Sequence, residues 1–163
     1  MNQGVVLDSD FFSSFLKIDR LHLVKEFYKA EALQIPPAVY IEVRLTRFFS
    51  SLASLPSVRV TEPDPQIIES LCHEPGFIEL GSGEKEAIAL AKQFSGSVLL
   101  MSDNQARLWA TRLGLHIVGI PTFLLACKRA RVIDSKEVAA IVLDLEEKDR
   151  YRFRKDVLDL LLS

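Results

Sequence analysis

The sequence predicts an α/β fold in which helices surround a mostly parallel sheet. Three short apolar runs, rich in β-branched residues, have the length of strands that are buried on both faces. These runs are GVVLD (4–8), SVLLMSD (97–103) and LHIVGI (115–120). Helical patterns lie between them, and strands that alternate with helices are joined by crossovers into a parallel sheet. With 163 residues, 48% of them hydrophobic, the chain can form one core, so we expect a single domain over residues 1–163.

The first half of the chain continues this alternation. After the first strand, FFSSFLKIDRLHLVKEFY (11–28) carries apolar residues at helical spacing, and ALQI (32–35) is a weaker strand. PPAVYIEVRLTRFFSSL (36–52) is a further helical pattern, because proline is favoured in the first turn of a helix. SVRVTE (57–62) is another candidate strand. This half therefore predicts two strands in addition to the three apolar runs.

The second half of the chain is mainly helical. GEKEAIALAKQF (83–94) and NQARLWATRL (104–113) flank the second apolar run, and PTFLLACKRARVI (121–133) follows the third. The remaining residues form a charged, amphipathic tail. We therefore expect a core over about 4–133 and a helical C-terminal extension over about 134–163.

Charge and cysteine content exclude several classes of protein. The formal net charge of −2 and the pI of about 5.9 give no overall basic field, so contacts to nucleic acid would need a local basic patch. Cys72 and Cys127 form no metal-ligand spacing, and we expect two buried thiols. No run is long enough to span a membrane and the apolar start is too short for a signal peptide, which predicts a soluble, cytoplasmic protein.

Acidic residues follow two of the three best strands. Asp8 ends the first strand and Asp103 ends the second, and ligands of open parallel sheets bind beyond the carboxyl ends of the strands. Each aspartate would also serve as a helix N-cap, a role that requires no function. Glu42 lies one turn from Val39 and from Leu45 on a predicted helix, so we expect it to border the buried stripe.

The stretch LGSGEKEAIALA presents a fourth acid at the start of a helix. Gly81 and Gly83 fit neither of the common phosphate-binding patterns, and we expect them to let the chain turn tightly into the helix, with Ser82 as its cap. That turn places Glu84 at the N-terminus of the helix. The alternative is that Glu84 only complements the positive end of the helix dipole.

Four carboxylates in one crevice favour a metal site. Asp8, Glu42, Glu84 and Asp103 would repel one another unless a cation neutralised them. Oxygen ligands at this density suit Mg²⁺ or Mn²⁺, which activate water for phosphodiester hydrolysis. We expect the two aspartates to bind the metal and the two glutamates to complete the cage or orient the water.

Three arginines lie close to these acids along the chain. Arg44 and Arg47 follow Glu42, and Arg107 is one turn after Asp103. Their charge could steer phosphates toward the metal. The alternative is that each is a solvated arginine or part of an internal salt bridge, and the basic clusters KRAR and DRYRFRK allow the same two interpretations.

Five blocks occur in order along residues 4–133. They are VVLDSDFF, IPPAVYIEV, LGSGEKEAIALA, LLMSDNQAR and GLHIVGIPTFLLACKRARVI. In this order they resemble the PIN-domain nucleases, the group that includes the VapC-type toxins of toxin–antitoxin pairs. The last three blocks together are the most specific part of the resemblance.

The resemblance implies a three-layer α/β/α sandwich and a Mg²⁺- or Mn²⁺-dependent endoribonuclease. It implies RNA as the substrate, a homodimer, and a protein antitoxin if the chain is a toxin. It places the acids of the site at Asp8, Glu42, Glu84 and Asp103, and supporting residues at Asp10 and Asn104. Asn104 stands where some relatives carry a further aspartate.

Two other functions are compatible with parts of the sequence. The DSD of Asp8 to Asp10 resembles the DxD of haloacid-dehalogenase-like phosphatases, with the first aspartate as nucleophile and the second as acid. That interpretation gives Glu42 and Glu84 no role. A non-catalytic PIN-like binding module, in which the acids persist as caps, is the third alternative.

Overall fold

The computed structural model describes residues 4–47 and 57–163, and a five-stranded sheet forms its centre. The strands are β1 (Val5–Leu7), β2 (Leu33–Ile35), β3 (Val58–Val60), β4 (Val98–Leu100) and β5 (His116–Val118). Their order in the sheet is β3-β2-β1-β4-β5, and all four pairings are parallel. The predicted parallel sheet is confirmed, including both weaker strands.

Helices in the described part of the chain pack on both faces of this sheet. They are α1 (Ser9–Lys17), α2 (Leu21–Tyr28), α3 (Pro37–Arg44), α4 (Pro65–Cys72), α5 (Ser82–Gln93), α6 (Asn104–Arg112), α7 (Ile120–Arg129), α8 (Ser135–Lys148) and α9 (Lys155–Leu162). Val5 and Leu7 lie in a core with side chains of α1, α3, α7 and α8, whereas Val6 lies in a second core with side chains of α4, α5 and α6. The alternation of strand side chains across the sheet explains why β1 is apolar throughout. The result is the predicted three-layer α/β/α sandwich.

The strand order creates a switch point next to β1. From β1 the chain builds outward through β2 and β3, then returns to add β4 and β5 on the other side. Connections leave β1 and β4 in opposite directions, which opens a crevice at the carboxyl ends of these two strands. Asp8 and Asp103 follow these strands in sequence.

Two predicted helices are shorter in the structure. The pattern over 11–28 is divided into α1 and α2, because Asp19 adopts a left-handed conformation with φ 57° and interrupts the helix. The helix predicted over 36–52 begins as expected but ends at Arg44. The part of that prediction beyond residue 47 lies outside the described residues.

Helix α4 has no counterpart among the predicted elements. Its start carries ordinary signals, since the Asp64 side chain accepts a hydrogen bond from the Gln66 backbone N–H at 2.9 Å and proline occupies the first turn. Leu71 is the one residue of this helix that is buried. The expectation of a buried Cys72 is wrong, because this cysteine lies on the exposed side of the helix, whereas Cys127 is buried as predicted.

The C-terminal helices are tied to the body of the protein by specific contacts. A segment without helix or strand, over residues 149–154, separates α8 from α9. Asp149 in this segment accepts hydrogen bonds from Ser14 Oγ at 2.6 Å and from Lys17 Nζ at 2.8 Å, both on α1. These contacts bring the segment to the carboxyl edge of the sheet. None of the helices described for this chain is long and apolar enough to cross a membrane.

Candidate active site

Asp8 lies at the centre of the carboxyl edge. It caps α1, with Oδ1 accepting from the Phe11 backbone N–H at 2.8 Å, and Oδ2 accepts from the Ser102 backbone N–H at 3.3 Å. The residue is 1% exposed. Burial raises the pKa of Asp8 to about 8, against the lowering effect of the two N–H groups, and the nearby charges of Asp10 and Glu84 raise it further. Without a cation, the carboxyl group is therefore largely protonated at neutral pH.

Asp103 follows the neighbouring strand and faces the same crevice. It caps α6, with Oδ1 accepting from the Ala106 backbone N–H at 2.8 Å. Both aspartates thus have the capping role that the alternative interpretation expects. Capping uses Oδ1 of each carboxylate, and each carboxylate oxygen has two lone pairs, so acceptor capacity remains for another ligand.

Glu84 stabilises the turn that presents it. Its Oε2 accepts from the Gly81 backbone N–H at 3.0 Å. The prediction of Ser82 as the cap is wrong, because Gly81 occupies the cap position and Ser82 is the first helical residue. Desolvation raises the pKa of Glu84, and the charges of Asp103, Asp10 and Glu42 add to this effect, while the Gly81 N–H opposes it.

Glu42 approaches the crevice from α3. The expectation that it borders a buried stripe on both sides is only half met, since Val39 is buried but Leu45 is 79% exposed. Glu42 itself is exposed, because the apolar face of this short helix consists of Val39 and Val43. Water therefore reaches this carboxylate directly.

Gly83 allows α3, α5 and the start of α1 to approach one another. A Cβ at this position would collide with Ser9 Oγ and would lie 3.0 Å from Glu42 Oε1 and 3.4 Å from Val39 Cγ2. Any side chain there would displace the carboxylate of Glu42 or the hydroxyl of Ser9. The second glycine of LGSGEKEAIALA is thus a packing requirement of the site.

These residues enclose a small acidic cleft. Its volume is about 180 Å³, and it is lined by Asp8, Ser9, Asp10, Glu42, Gly81, Gly83 and Glu84. Much of Asp10 is exposed, yet the surrounding protein removes enough water to raise its pKa, as do the charges of Asp103 and Glu42. Asp103 is not part of the lining, but it repels both Asp10 and Glu84. The structure therefore gathers all four predicted acids, and Asp10 with them, at one edge of the sheet.

The donor set of this cleft fits a hard divalent cation. It offers carboxylate oxygens and the Ser9 hydroxyl, which is buried and has no hydrogen-bond partner among the described residues. No three His, Cys, Asp or Glu side chains within residues 4–47 and 57–163 form a ready-made metal cage. Carboxylates that repel one another spread apart, and a bound cation would remove that repulsion.

Comparison with protein families agrees with this geometry. A PIN-domain family model matches residues 4–163. The chain belongs to the PIN-domain family. PIN domains are generally nucleases, and those nucleases typically use divalent metals. Among curated proteins, none matches the chain.

The remaining predicted residues of this PIN domain lie around the acidic cleft. Arg44 and Arg47 are exposed, and neither lines the cleft. Arg44 is two positions after Glu42 and therefore points to a different side of α3. Asn104 and Arg107 line a separate, larger cleft of about 450 Å³.

The C-terminal extension contributes to this edge of the PIN domain in a way that sequence reasoning did not assign. Tyr151 and Arg152 lie beside Ser102, which follows β4, and they line two clefts next to the acids. Asp149 also acts on Asp10 electrostatically. The sequence feature that could have indicated this role is the alternation of basic and aromatic residues in DRYRFRK, which is compatible with a nucleic-acid surface as well as with a solvated face.

Proposed function

We propose that this PIN domain is an endoribonuclease that depends on Mg²⁺ or Mn²⁺ and hydrolyses phosphodiester bonds of RNA. The observation that carries the proposal is the mutual repulsion of Asp8, Asp10, Glu84 and their neighbours around one small cleft. No lysine or arginine is among the residues that line it. A cluster that is unfavourable in isolation becomes favourable when a divalent cation binds.

Each acid has a role that follows from its position. Asp8 and Asp103 would hold the metal, and Glu42 and Glu84 would complete its ligand set or orient the attacking water, with Asp10 and Asn104 in supporting roles. The metal would supply a more acidic bound water and stabilise the leaving oxygen. Asp8 must lose its proton to act as a ligand, so metal affinity should increase with pH.

RNA cleavage is the direct test of this proposal. A single-stranded RNA with a fluorescent label is incubated with the protein in Mg²⁺, in Mn²⁺ and in EDTA, and the products are resolved on a gel. We expect cleavage with metal only, and a loss of about a hundredfold or more in Asp8→Asn and Glu84→Gln.

The matched control is Glu86→Gln on the same helix. Glu86 Oε2 accepts from the Ala38 backbone N–H at 2.8 Å, and glutamine retains an oxygen for this bond. We therefore expect Glu86→Gln to cleave at close to the wild-type rate. Wild-type activity in Asp8→Asn would contradict the catalytic mechanism.

Metal binding is tested separately by thermal denaturation. Saturation with Mg²⁺ or Mn²⁺ at about 100 times the Kd adds roughly 2.7 kcal/mol to the free energy of unfolding. For a chain of this size that raises the Tm by about 5–10 °C. No shift with either ion at millimolar concentration would contradict the metal site.

The non-catalytic binding module is the second candidate, and a specific observation favours it. Asp8 and Asp103 both cap helices, so these acids are useful to the fold without any chemistry. This candidate predicts RNA binding without cleavage in every metal. The phosphatase alternative is disfavoured by the family match, and it predicts hydrolysis of a phosphate monoester that survives Glu84→Gln.

We also propose that the protein is a cytoplasmic toxin, that it forms a homodimer, and that a protein antitoxin binds and inhibits it. Two exposed apolar side chains, Ile41 on α3 at 50% exposure and Leu45 directly after this helix at 79%, lie close to Glu42 along the chain and would suit either protein partner. Expression of the wild type, but not of Asp8→Asn, should arrest growth of the host. Light scattering on the purified protein tests the dimer.

A further inference from the structure

A second cleft lies beside the acidic one and has the opposite charge. It is formed by α6, the start of α7 and the segment between α8 and α9, and its volume is about 450 Å³. Arg107, Arg152 and Arg154 are among its lining residues, and no aspartate or glutamate is. Since the whole chain has a net charge of −2, this concentration of arginine is a local feature.

Arg107 is the most constrained of these arginines. Its Nε atom is buried and lacks a hydrogen-bond partner among the described residues. The guanidinium packs against Gly119, where a Cβ would lie 2.9 Å from Nη1 and 3.1 Å from Cζ. Within residues 4–47 and 57–163, no carboxylate forms a salt bridge with it. A fixed, unpaired guanidinium that lines a cleft is suited to an external anion.

The other two arginines add charge from the C-terminal extension. Arg152 is exposed, and Arg154 forms an ion pair with Asp156 at 2.7 Å in which both side chains are mostly exposed. Such an exposed pair is worth little and leaves Arg154 able to exchange partners. Tyr151 and Phe153 alternate with Arg152 and Arg154 along the segment, and their rings contact each other with centroids 4.6 Å apart.

The basic cleft is continuous with the acidic edge. Ser102 lines the basic cleft and also a neighbouring cleft of about 340 Å³ that Asp10 lines. The backbone N–H of Ser102 donates to Asp8 Oδ2 at 3.3 Å. A chain of phosphates that enters the acidic site would therefore continue along Ser102 toward Arg107.

We propose that the basic cleft binds a phosphodiester group of single-stranded RNA next to the one that is cleaved, with Arg107 as the anchor and Arg152 as a second contact. This inference deepens the proposed ribonuclease function and rests on it for the identity of the polymer. It assigns residues 151–154 of the C-terminal extension to the substrate-binding surface. RNA is favoured over an acidic peptide because the neighbouring acidic cleft is proposed to cleave RNA, and in that polymer a further phosphodiester follows the one that is cleaved.

The test measures binding without catalysis. Anisotropy of a fluorescent single-stranded RNA is followed in EDTA for the wild type, Arg107→Gln, Arg152→Gln and the control Arg112→Gln. Arg112 lies on the same helix as Arg107, is exposed and does not line the cleft. We expect roughly tenfold weaker binding for Arg107→Gln, and a slope of log Kd against log salt that is smaller by about 0.7. Arg112→Gln should bind within about twofold of the wild type.

The outcomes separate this inference from the catalytic proposal. Wild-type RNA binding by both Arg107→Gln and Arg152→Gln overturns the inference, even if the protein cleaves RNA. Weaker binding by these variants supports it, even if no metal permits cleavage. If Arg107→Gln fails to fold, RNA binding by Arg152→Gln, in which the replaced side chain is exposed, provides the test. Displacement of RNA by inorganic phosphate as readily as by unlabelled RNA, at equal ionic strength, would identify a site for a free anion and also overturn the inference.

Discussion

Replacing Asp8 with asparagine should change how stability depends on pH. The pKa of Asp8 is about 8 in the folded protein against 3.8 for an ordinary aspartate, so the folded state binds more protons than the unfolded state between about pH 4 and pH 8. The free energy of unfolding of the wild type therefore falls as the pH rises through this window. At about 1.4 kcal/mol for each pH unit, the loss reaches on the order of 5 kcal/mol at pH 8.

Asparagine at position 8 abolishes this pH-dependent loss of stability and lowers the free energy of unfolding only slightly. It ranks with aspartate as an N-cap and keeps an oxygen for the Phe11 N–H, but its amide cannot accept the longer hydrogen bond from Ser102, which costs about 1 kcal/mol. Asp8→Asn should therefore be slightly less stable than the wild type at pH 4. The two stability curves should cross near pH 5, and the variant should be more stable by roughly 4 kcal/mol at pH 8.

Urea denaturation in EDTA at a series of pH values measures both curves, and the difference between them cancels the titration of all groups that the substitution leaves unaltered. Saturating Mg²⁺ should restore the free energy of unfolding that the wild type loses at high pH, and it should have less effect on the stability of Asp8→Asn. Parallel curves for the two proteins in EDTA would refute the reasoning, because they would mean that Asp8 is ionised throughout the range.

Two further substitutions test how the site is supported. Asp149→Ala removes the partner of Ser14 and Lys17 and should lower the free energy of unfolding by about 2 kcal/mol, whereas Asp144→Ala, which breaks an outer pair with Lys148 at 3.4 Å, should cost less than about 1 kcal/mol. If urea denaturation showed the same loss of unfolding free energy for Asp149→Ala and Asp144→Ala, Asp149 would not hold the segment against α1. Gly83→Ala inserts a methyl group against Ser9 and Glu42, so RNA cleavage should fall by about tenfold or more, with a stability loss of about 1 kcal/mol after the gain in helix propensity. Gly81→Ala meets only Glu84 atoms at 3.7 Å and should retain more activity in the same cleavage assay.

The centre of the sheet was predictable because β1 and β4 are buried on both faces. A strand such as β1, with no exposed residue, has a continuous apolar sequence that few other structures require. The positions of Asp8 and Asp103 followed from the same property, since the residue after a buried parallel strand lies at the crevice. Helix α4 was missed although Ile67, Ile68 and Leu71 recur at helical spacing, because a helix of 8 residues is too short for this pattern to be distinctive.

The geometry of the site depended on contacts between distant parts of the chain. Sequence spacing along one helix indicates which residues share a face, but the approach of Glu42 to Gly83 depends on how α3 packs against α5. The role of the tail was equally hidden, because the Ser14 and Asp149 contact joins residues 135 positions apart. Local patterns carry no information about such a pairing.

The attachment of the tail to α1 also sets an order of events during synthesis. All the acids of the site are present once residue 103 has been made, whereas Tyr151, Arg152 and Val157 of the basic cleft are added later. A nascent chain can assemble its N-terminal elements first, and the segment that follows Asp149 can join them only after it has been made. An unfinished polypeptide would thus carry the acidic centre without the surface that we assign to its substrate.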